Sequence, residues 1–399
     1  MTGVAAEPGI DTSVWRVTGS PLVAATAAGP LSGRIVAVKD LFAVAGFPIG
    51  AGVPVYQREQ PAAPRHADAV ARLLSAGAQV GGIARTDEFA YSLTGGNGGF
   101  GMPVNPAAPD RIPGGSTSGP AVAVARGEAD IGLGTDTAGS IRVPAAYQGL
   151  WGIRTTSGRV DTSGLLPLAQ SFDTVGWLAR DGATLAEIAD CVLGADTAAC
   201  TGFAVDPAVC GYADPELAAV VGRAADRLDA VPVDLRPADS WLVAFRIVQA
   251  FEAWRNHGEW VAAHPGVLEP EVADRFAFAA TVTAAQAAAA REVLAAAMVT
   301  LRSTIGDRAL LLPTVATPPP PRAGGPQAWE HARARTLRLT CLASIAGLPA
   351  VTVPLRSGAG IPVGLCLLGA SGTDRSLIRL ALSSVAVPAG GSLHSEDRP

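Results

Sequence analysis

The sequence predicts a single large α/β domain, residues 1–399, in which α-helices flank a central mixed β-sheet. Three observations support this fold class. The chain is 49% hydrophobic and 16% charged, against roughly 25% charged in an average globular domain, which favours a large buried core. A strand–helix–strand unit follows residue 33, and strand-like segments return after a mostly helical middle. No internal repeat or long linker divides the chain, so we expect one domain.

The first half of the chain alternates strands and helices. The first 30 residues show no periodic pattern, and we expect an irregular segment there. The apolar run "RIVAVKD" predicts a strand, and "HADAVARLLSAGAQVGGIART" predicts an amphipathic helix that leads through a glycine into a second strand. Residues 91–118 are rich in Gly, Asn and Pro, which predicts a loop. "PAVAVARG" then predicts a buried helix, and "ADIGLGTD" predicts a strand.

The second half is helical before it returns to strands. A helix is expected near residues 184–193, and residues 194–305 form an alanine-rich, mostly helical insertion. Three apolar segments, "ALLLPTV", "LPAVTVPL" and "IPVGLCLLGA", predict strands, and "DRSLIRLALSSV" predicts the last helix.

Composition excludes several classes of function. The formal net charge is −5 and no basic stripe is present, which argues against nucleic-acid binding. The chain contains no uninterrupted run of about 18 apolar residues, so we expect no membrane span. Its N-terminus has no basic region followed by an apolar region, so we expect no secretory signal. The five cysteines lack CxxC spacing, so we expect reduced thiols, as in the cytoplasm. The five histidines are scattered along the chain, so we expect no metal site. We expect no cofactor.

Lys39 is the only lysine in a chain that contains 29 arginines. It stands at the end of a strand-like apolar run. Arginine cannot lose its proton near neutral pH, whereas burial can lower the pKa of a lysine toward neutrality. The retained lysine therefore indicates a position where the side chain must be deprotonated.

Two serines in glycine-rich loops, Ser116 and Ser140, lie on either side of a predicted helix and strand. Small residues before Ser140 allow consecutive backbone N–H groups to turn toward one point, as an oxyanion hole requires. A serine nucleophile needs a base, and because no histidine has a comparable loop setting, Lys39 is the candidate. The patterns G-x-S-x-G, S-x-x-K and G-K-[ST] are absent. A G-x-G-x-x-G match at 96–101 does not open a helix, so we discount it.

The segment "GGSTSG", followed 24 residues later by the serine of "GTDTAGSIRVPA" and preceded by "VKD", resembles the amidase signature family. The similarity extends over most of the chain and includes "TDEFAYS", "GLLPLAQSFDTVGWLARD", "LLLPTVATPPP" and "LPAVTVPL". The resemblance implies an α/β/α fold and a Ser–cis-Ser–Lys triad.

The family's residues can be assigned to positions in this sequence. Lys39 matches the family's base. Ser116 matches the bridging serine, which follows a cis peptide bond from Gly115. Ser140 matches the nucleophile, on which the family forms an acyl-enzyme. The resemblance implies an oxyanion hole of backbone amides from Thr137, Ala138, Gly139 and Ser140. It also implies a supporting pair behind the nucleophile loop, Asp136 and Arg142.

The chain departs from the family pattern in two motifs: the usual G-G-S-S-G-G reads Gly-Gly-Ser-Thr-Ser-Gly here, and the usual T-G-G-S reads Thr-Ala-Gly-Ser. Thr117 replaces a serine and keeps a hydroxyl, while Ala138 replaces a glycine and adds a methyl group that reduces the room for bulky acyl groups. Tyr91, Thr94 and Gly95 lie where the family's loops approach the acyl pocket.

The resemblance implies an amidohydrolase that cleaves the C–N bond of a small carboxamide. Compact indole-3-acetamide hydrolases are the most similar members, which implies an aryl or arylalkyl acetamide. Two alternatives stay open: the amidase-like subunit of a glutamine-dependent amidotransferase complex, and a biosynthetic acyltransferase in which an amine resolves the acyl-enzyme. We expect a small-molecule amide as partner, no nucleic acid, no membrane, and a homodimer.

Overall fold

The computed structural model describes residues 9–384, and their strands form one mixed sheet of eleven strands. The strands are β1 (Trp15–Val23), β2 (Ile35–Lys39), β3 (Gln79–Ala84), β4 (Ile131–Asp136), β5 (Trp151–Arg154), β6 (Thr174–Ala179), β7 (Phe203–Val205), β8 (Val231–Pro232), β9 (Ala309–Pro313), β10 (Ala350–Arg356) and β11 (Pro362–Leu368). Their order across the sheet is β1-β3-β2-β4-β6-β5-β10-β11-β9-β7-β8.

Helices flank this sheet, which confirms the predicted fold class. They are α1 (Pro54–Glu59), α2 (Asp68–Ser75), α3 (Ser118–Arg126), α4 (Arg142–Gln148), α5 (Gly182–Val192), α6 (Pro207–Cys210), α7 (Pro215–Arg227), α8 (Asp239–Ala263), α9 (Pro270–Thr281), α10 (Ala284–Ile305), α11 (Gly325–Ala346) and α12 (Asp374–Ser384). Two short 3₁₀ helices cover Glu88–Ala90 and Arg322–Gly324.

The centre of the sheet is covered on both faces. Val36 and Val38 of β2 belong to the larger hydrophobic core, and Ala37 between them belongs to a smaller core with the apolar residues of α3. Because successive side chains of a strand point to opposite faces, β2 must be apolar throughout. This accounts for the continuous apolar run before Lys39.

Two parallel strands end at the same edge of the sheet. β2 pairs in parallel with β4, and their last residues are Lys39 and Asp136. Helix α3 begins directly after Ser116 and Thr117, and α4 begins two residues after Ser140. The topology therefore brings the end of β2 and the starts of two helices to one place.

The expectation of an irregular segment over the first 30 residues was wrong, because β1 lies there. It pairs antiparallel with β3 at the edge of the sheet, with register shifts between Trp15 and Val17 and between Thr18 and Val23. These shifts break the alternation of apolar and polar residues that reveals a strand in a sequence. Pro21 is compatible with an edge strand, since such a strand bonds on one side only.

Residues 194–305 contain α6–α10 and the short strands β7 and β8, which extend the sheet beyond β9. Among residues 9–384, α10 alone has the length and composition that could cross a membrane, which the sequence analysis did not predict. In the structure it packs against α8 and α11 and buries Leu294, Leu301 and Ile305. All five cysteines are free in the structure.

Candidate active site

Lys39 is completely buried at the end of β2 and contacts three hydroxyl groups. Its Nζ lies 2.9 Å from Ser116 Oγ, 3.1 Å from Thr117 Oγ1 and 2.8 Å from Thr135 Oγ1. Thr117 Oγ1 also donates to the carbonyl oxygen of Thr135, at 3.3 Å. No carboxylate is within hydrogen-bonding distance of Nζ among the described residues, so the amine is solvated by neutral groups only.

Burial lowers the pKa of Lys39 to about 7, because the charged ammonium loses its water there. The carboxyl groups of Asp87, Asp136 and Asp173 oppose this shift from a distance. A pKa near neutrality means that a large fraction of the side chain is an uncharged amine at physiological pH. Such an amine can accept a proton.

Ser116 follows a cis peptide bond from Gly115, as the family resemblance implies. Thr86 Oγ1 donates to the carbonyl oxygen of Ser116 at 2.8 Å, and the Gly115 N–H donates to Leu93 O at 2.9 Å. A Cβ at position 115 would lie 2.5 Å from Asp87 Oδ2, so only glycine fits there. These contacts fix the loop that presents Ser116 to Lys39.

Asp87 is a buried carboxyl group beside this loop. It accepts hydrogen bonds from the Gly95 N–H at 3.0 Å and from Ser118 Oγ at 3.3 Å. Burial raises its pKa, while the neighbouring Lys39 acts in the opposite direction. Of the three carboxyl groups that act on Lys39, Asp87 has the largest effect on the pKa of the lysine.

Ser140 lies in the loop between β4 and α4 and is 2% exposed. The Thr117 N–H donates to the carbonyl oxygen of Ser140 at 3.2 Å, so the loops of the two serines are in contact. Gly139 has a φ of +122°, a backbone conformation that side chains rarely allow. The structure thus brings Lys39, Ser116 and Ser140 to one buried region.

One member of the expected oxyanion hole needs correction. The Gly139 N–H donates to Asp136 Oδ1 at 2.8 Å and is therefore not free to bind an oxyanion. The amides of Thr137, Ala138 and Ser140 have no protein acceptor among the described residues. Gly139 supplies the backbone turn, and the other three amides remain as donors.

Asp136 and Arg142 form a buried ion pair behind the nucleophile loop, with Nη2 2.8 Å from Oδ1 and Nε 3.0 Å from Oδ2. Arg154 of β5 adds a second guanidinium, with Nη1 3.3 Å from Asp136 Oδ1. Burial alone would raise the pKa of Asp136, but the two arginines hold it well below its usual range. The sequence analysis missed Arg154, since nothing in its local pattern points to this loop.

Thr137 is held by a second carboxyl group. Its Oγ1 donates to Asp173 Oδ1 at 2.5 Å, and the amides of Leu168 and Ala169 donate to Asp173 Oδ2 at 2.8 and 2.9 Å. Burial raises the pKa of Asp173 to about 6. The sequence analysis also missed Thr135 and Asp173, although both lie in segments that carry the resemblance.

Three cavities share lining residues with one another, and none of them is lined by Lys39, Ser116 or Ser140. The outer cavity, about 360 Å³, is lined by Glu88, Thr94, Met102, Glu269 and Trp329 among others. The inner cavity, about 10 Å³, is lined by Leu93, Thr94, Val143, Tyr147, Trp329 and Thr336 among others. The side cavity, about 250 Å³, is lined by Tyr91, Gln249, Arg275 and Arg333 among others.

The predicted pocket residues fall in different places. Thr94 lines both the outer and the inner cavity, and Tyr91 lines the side cavity. Gly95 lines none of these three and instead donates its N–H to Asp87. Their contact with substrate stays a prediction. Among residues 9–384, no group of three or more His, Cys, Asp or Glu side chains is placed to hold a metal ion.

Comparison with known proteins places this geometry in context. Residues 21–209 match the protein family described as Amidase. The chain is similar to Amidase 1 of Arabidopsis thaliana, with 35% identity over 413 residues that cover 93% of this chain and 97% of that protein. It is also similar to a glutamyl-tRNA(Gln) amidotransferase subunit of Thermus thermophilus, with 33% identity over 405 residues that cover 89% and 84% of the two chains. A solved structure described as the crystal structure of an amidase superposes with a TM-score of 0.78 and 32% identity, covering 89% of this chain and 84% of that one.

Proposed function

The chain belongs to the amidase family of amide-hydrolysing enzymes, and on that premise we propose that it cleaves a small carboxamide through an acyl-enzyme on Ser140. The observation that carries this proposal is the 2.9 Å contact between Lys39 Nζ and Ser116 Oγ in a fully buried setting. A neutral lysine there is the only basic nitrogen that contacts either serine hydroxyl among the described residues.

The hydroxyl groups around Lys39 favour one direction of proton transfer. Thr117 donates its own hydrogen to Thr135 O, so Thr117 Oγ1 must accept from Nζ. A neutral amine has two hydrogens and one lone pair. With Thr117 and Thr135 as the two acceptors, the lone pair faces the Ser116 hydroxyl.

The reaction follows from this arrangement. Ser116 gives its proton to Lys39 and takes the proton of Ser140, whose Oγ attacks the amide carbonyl carbon. The amides of Thr137, Ala138 and Ser140 stabilise the oxyanion. The proton then returns through Ser116 to the leaving nitrogen as the C–N bond breaks, and water releases the acid by the same path.

The apolar lining of the inner cavity, which includes Val143 three residues after Ser140, favours an acyl group that is largely apolar or aromatic. Leu93, Val143, Tyr147 and Trp329 supply most of its wall. At about 10 Å³ it holds no more than one water molecule. An aryl or arylalkyl group therefore enters only if a wall side chain moves, and Trp329 is the side chain shared with the larger outer cavity.

A second candidate is the amidase-like component of a glutamine-dependent amidotransferase. The similarity to the Thermus thermophilus amidotransferase subunit favours it. Such a component would hydrolyse glutamine and would co-purify with partner subunits. Cytoplasmic location, a homodimeric state and the absence of nucleic-acid partners also stay predictions.

The proposed function is tested with a panel of primary amides, anilides, esters and carbamates, scored for released ammonia or amine. We expect hydrolysis of at least one amide, and its loss in Ser140→Ala and Lys39→Ala. Ser303→Ala is the matched control, because this exposed serine of α10 bonds only its own helix. Substantial hydrolysis by Ser140→Ala would disprove the assignment of the nucleophile.

A further inference from the structure

Thr340 is a buried threonine of α11 that contacts the nucleophile loop from a distant part of the chain. Its residue is 2% exposed, and its Oγ1 donates to the carbonyl oxygen of Ala138 at 2.6 Å, across a separation of 202 positions. The proposed reaction assigns Thr340 no role. The contact nevertheless joins α11 directly to the loop that carries Ser140.

The hydroxyl of Thr340 has one hydrogen and two nearby acceptors. A threonine inside a helix often donates to the carbonyl oxygen four residues earlier, and Thr336 O lies 3.2 Å from Thr340 Oγ1. Ala138 O is closer, at 2.6 Å, which is within the usual range for an O–H···O hydrogen bond. The hydrogen therefore points to Ala138, and the hydroxyl forgoes the bond within its own helix.

The Ala138–Gly139 peptide is held at both of its polar ends. Its carbonyl oxygen accepts from Thr340, and no other donor reaches that oxygen among residues 9–384. Its N–H donates to Asp136 Oδ1 at 2.8 Å. Because a peptide group is planar, hydrogen bonds at its two ends fix the orientation of the whole plane.

This orientation governs two of the three amides that remain as oxyanion donors. The angles that relate the plane to its neighbours are ψ of Ala138 and φ of Gly139. The neighbouring planes carry the N–H of Ala138 on one side and the N–H of Ser140 on the other. Thr340 thus acts on the direction of both donors without contacting the substrate.

Gly139 makes an external contact necessary. Its φ is +122°, and a glycine adopts positive and negative φ about equally well, so the residue itself does not hold the turn. A Cβ at this position would lie 3.1 Å from Thr340 Cγ2, so α11 also packs directly over Gly139. The hydroxyl and the methyl group of Thr340 therefore both act on the most adaptable point of the loop.

The contact completes a closed set of hydrogen bonds. Arg142 Nη1 donates to Thr340 O at 2.9 Å, and Arg142 Nη2 donates to Asp136 Oδ1 at 2.8 Å. Asp136 in turn accepts from the Gly139 N–H. Helix α11, the buried ion pair and the nucleophile loop therefore orient one another, and Thr340 is the member that α11 contributes.

We propose that Thr340 is a positioning residue of the oxyanion hole, whose hydroxyl orients the Ala138–Gly139 peptide so that the flanking amides meet the developing oxyanion. This role rests on the proposed function, because it requires acyl transfer at Ser140. Donors that act on charge formed in the transition state contribute to kcat rather than to substrate binding. Loss of the hydroxyl should therefore lower kcat and leave KM nearly unchanged.

The first test compares threonine variants with the best amide of the panel. Thr340→Val keeps the shape of the side chain without its hydroxyl, and its kcat should fall roughly 10- to 100-fold, somewhat less than for the loss of a whole donor. Thr340→Ser keeps the hydroxyl and should restore most of the rate. Thr352→Val is the matched control, since Thr352 is equally buried and its hydroxyl has no partner among the described residues. A parent-like kcat in a folded Thr340→Val enzyme would overturn the inference.

A transition-state analogue distinguishes misdirected donors from a smaller amount of folded enzyme. The probe is the trifluoromethyl ketone that corresponds to the best amide. Ser140 Oγ adds to its carbonyl carbon, and the resulting oxygen anion occupies the oxyanion hole. The inhibition constant should rise in Thr340→Val by about the factor by which kcat falls. An unchanged inhibition constant would show that Thr340 supports only the fold.

A crystal structure of Thr340→Val separates this inference from the proposed function. We expect the Ala138–Gly139 plane to rotate and the Gly139 N–H to leave Asp136. If amides are hydrolysed through Ser140 while this plane and kcat stay unchanged, the inference fails and the proposed function stands. If no amide is hydrolysed but the plane rotates, the proposed function fails and the orienting contact stands. Should Thr340→Val not fold, Thr340→Ala removes the same hydroxyl and decides the test in each assay.

Discussion

Lys39 Nζ lies 2.9 Å from Ser116 Oγ, and both side chains are completely shielded from solvent. The shielding lowers the pKa of the Lys39 ammonium to about 7. The Ser116 hydroxyl then supplies a proton that the neutral amine can accept. Position 39 thus requires a basic side chain that can lose its charge. This accounts for a single lysine among 29 arginines.

The conservative variant Lys39→Arg should be almost as inactive as Lys39→Ala. A guanidinium keeps its proton at any pH the protein tolerates, and loss of a general base costs roughly 10²- to 10⁴-fold in rate. The measurement is kcat/KM with the best amide of the panel. Arg34→Lys, which places a lysine in a partly exposed pair with Glu187, is the control and should retain activity.

Asp136→Ala should destabilise the fold as well as the nucleophile loop. The change leaves the guanidinium groups of Arg142 and Arg154 buried without their carboxylate. Breaking a buried ion pair from one side costs about 3–5 kcal/mol. Urea denaturation measures the free energy of unfolding. Asp239→Ala, which breaks an ion pair between exposed Asp239 and partly exposed Arg338, should cost less than about 1 kcal/mol. Similar losses for both variants would contradict the structural role assigned to Asp136.

Trp329→Ala should join the inner and outer cavities, because this side chain borders both. We expect KM to fall for amides with bulky acyl groups and to change little for acetamide, while Trp329→Phe stays close to the parent enzyme. The measurement is the ratio of kcat/KM for a bulky and a small amide. An unchanged ratio in Trp329→Ala would show that substrate reaches Ser140 by another path.

The sequence alone identifies some residues of the site but not others. Lys39, Ser116 and Ser140 each lie in a short segment whose glycines and spacing indicate their chemistry, so the sequence alone points to them. Arg154 reaches the site from β5, and only the packing of distant elements brings it there. No local pattern distinguishes it from other arginines of the chain.

The same contrast applies to the fold. Strand β2 is buried on both faces, and its unbroken apolar run predicts it correctly. Strand β1 escapes prediction because register shifts interrupt its pattern at the sheet edge. The expectation that the Gly139 N–H is free to bind an oxyanion was also wrong. The direction of this N–H depends on the φ and ψ angles of the loop, and the Asp136 carboxylate beside it accepts its hydrogen bond.

Asp87→Asn should lower the pKa of Lys39 further. The negative charge of Asp87 raises that pKa against the effect of burial, and the amide of asparagine carries no charge. The acidic limb of the pH–rate profile should therefore move to lower pH. Asp136 and Asp173 also face Lys39 and stay unchanged in this variant. A limb that moves to higher pH, or not at all, would contradict the assignment of this limb to Lys39.

The pH dependence of kcat/KM tests the central claim, that neutral Lys39 is the base. Below about pH 7 the rate should fall about tenfold per pH unit as Lys39 takes up a proton, and above that value it should reach a plateau. A profile that is flat across this range, or that falls as the pH rises from 6 to 8, would show that the reaction does not depend on an uncharged lysine.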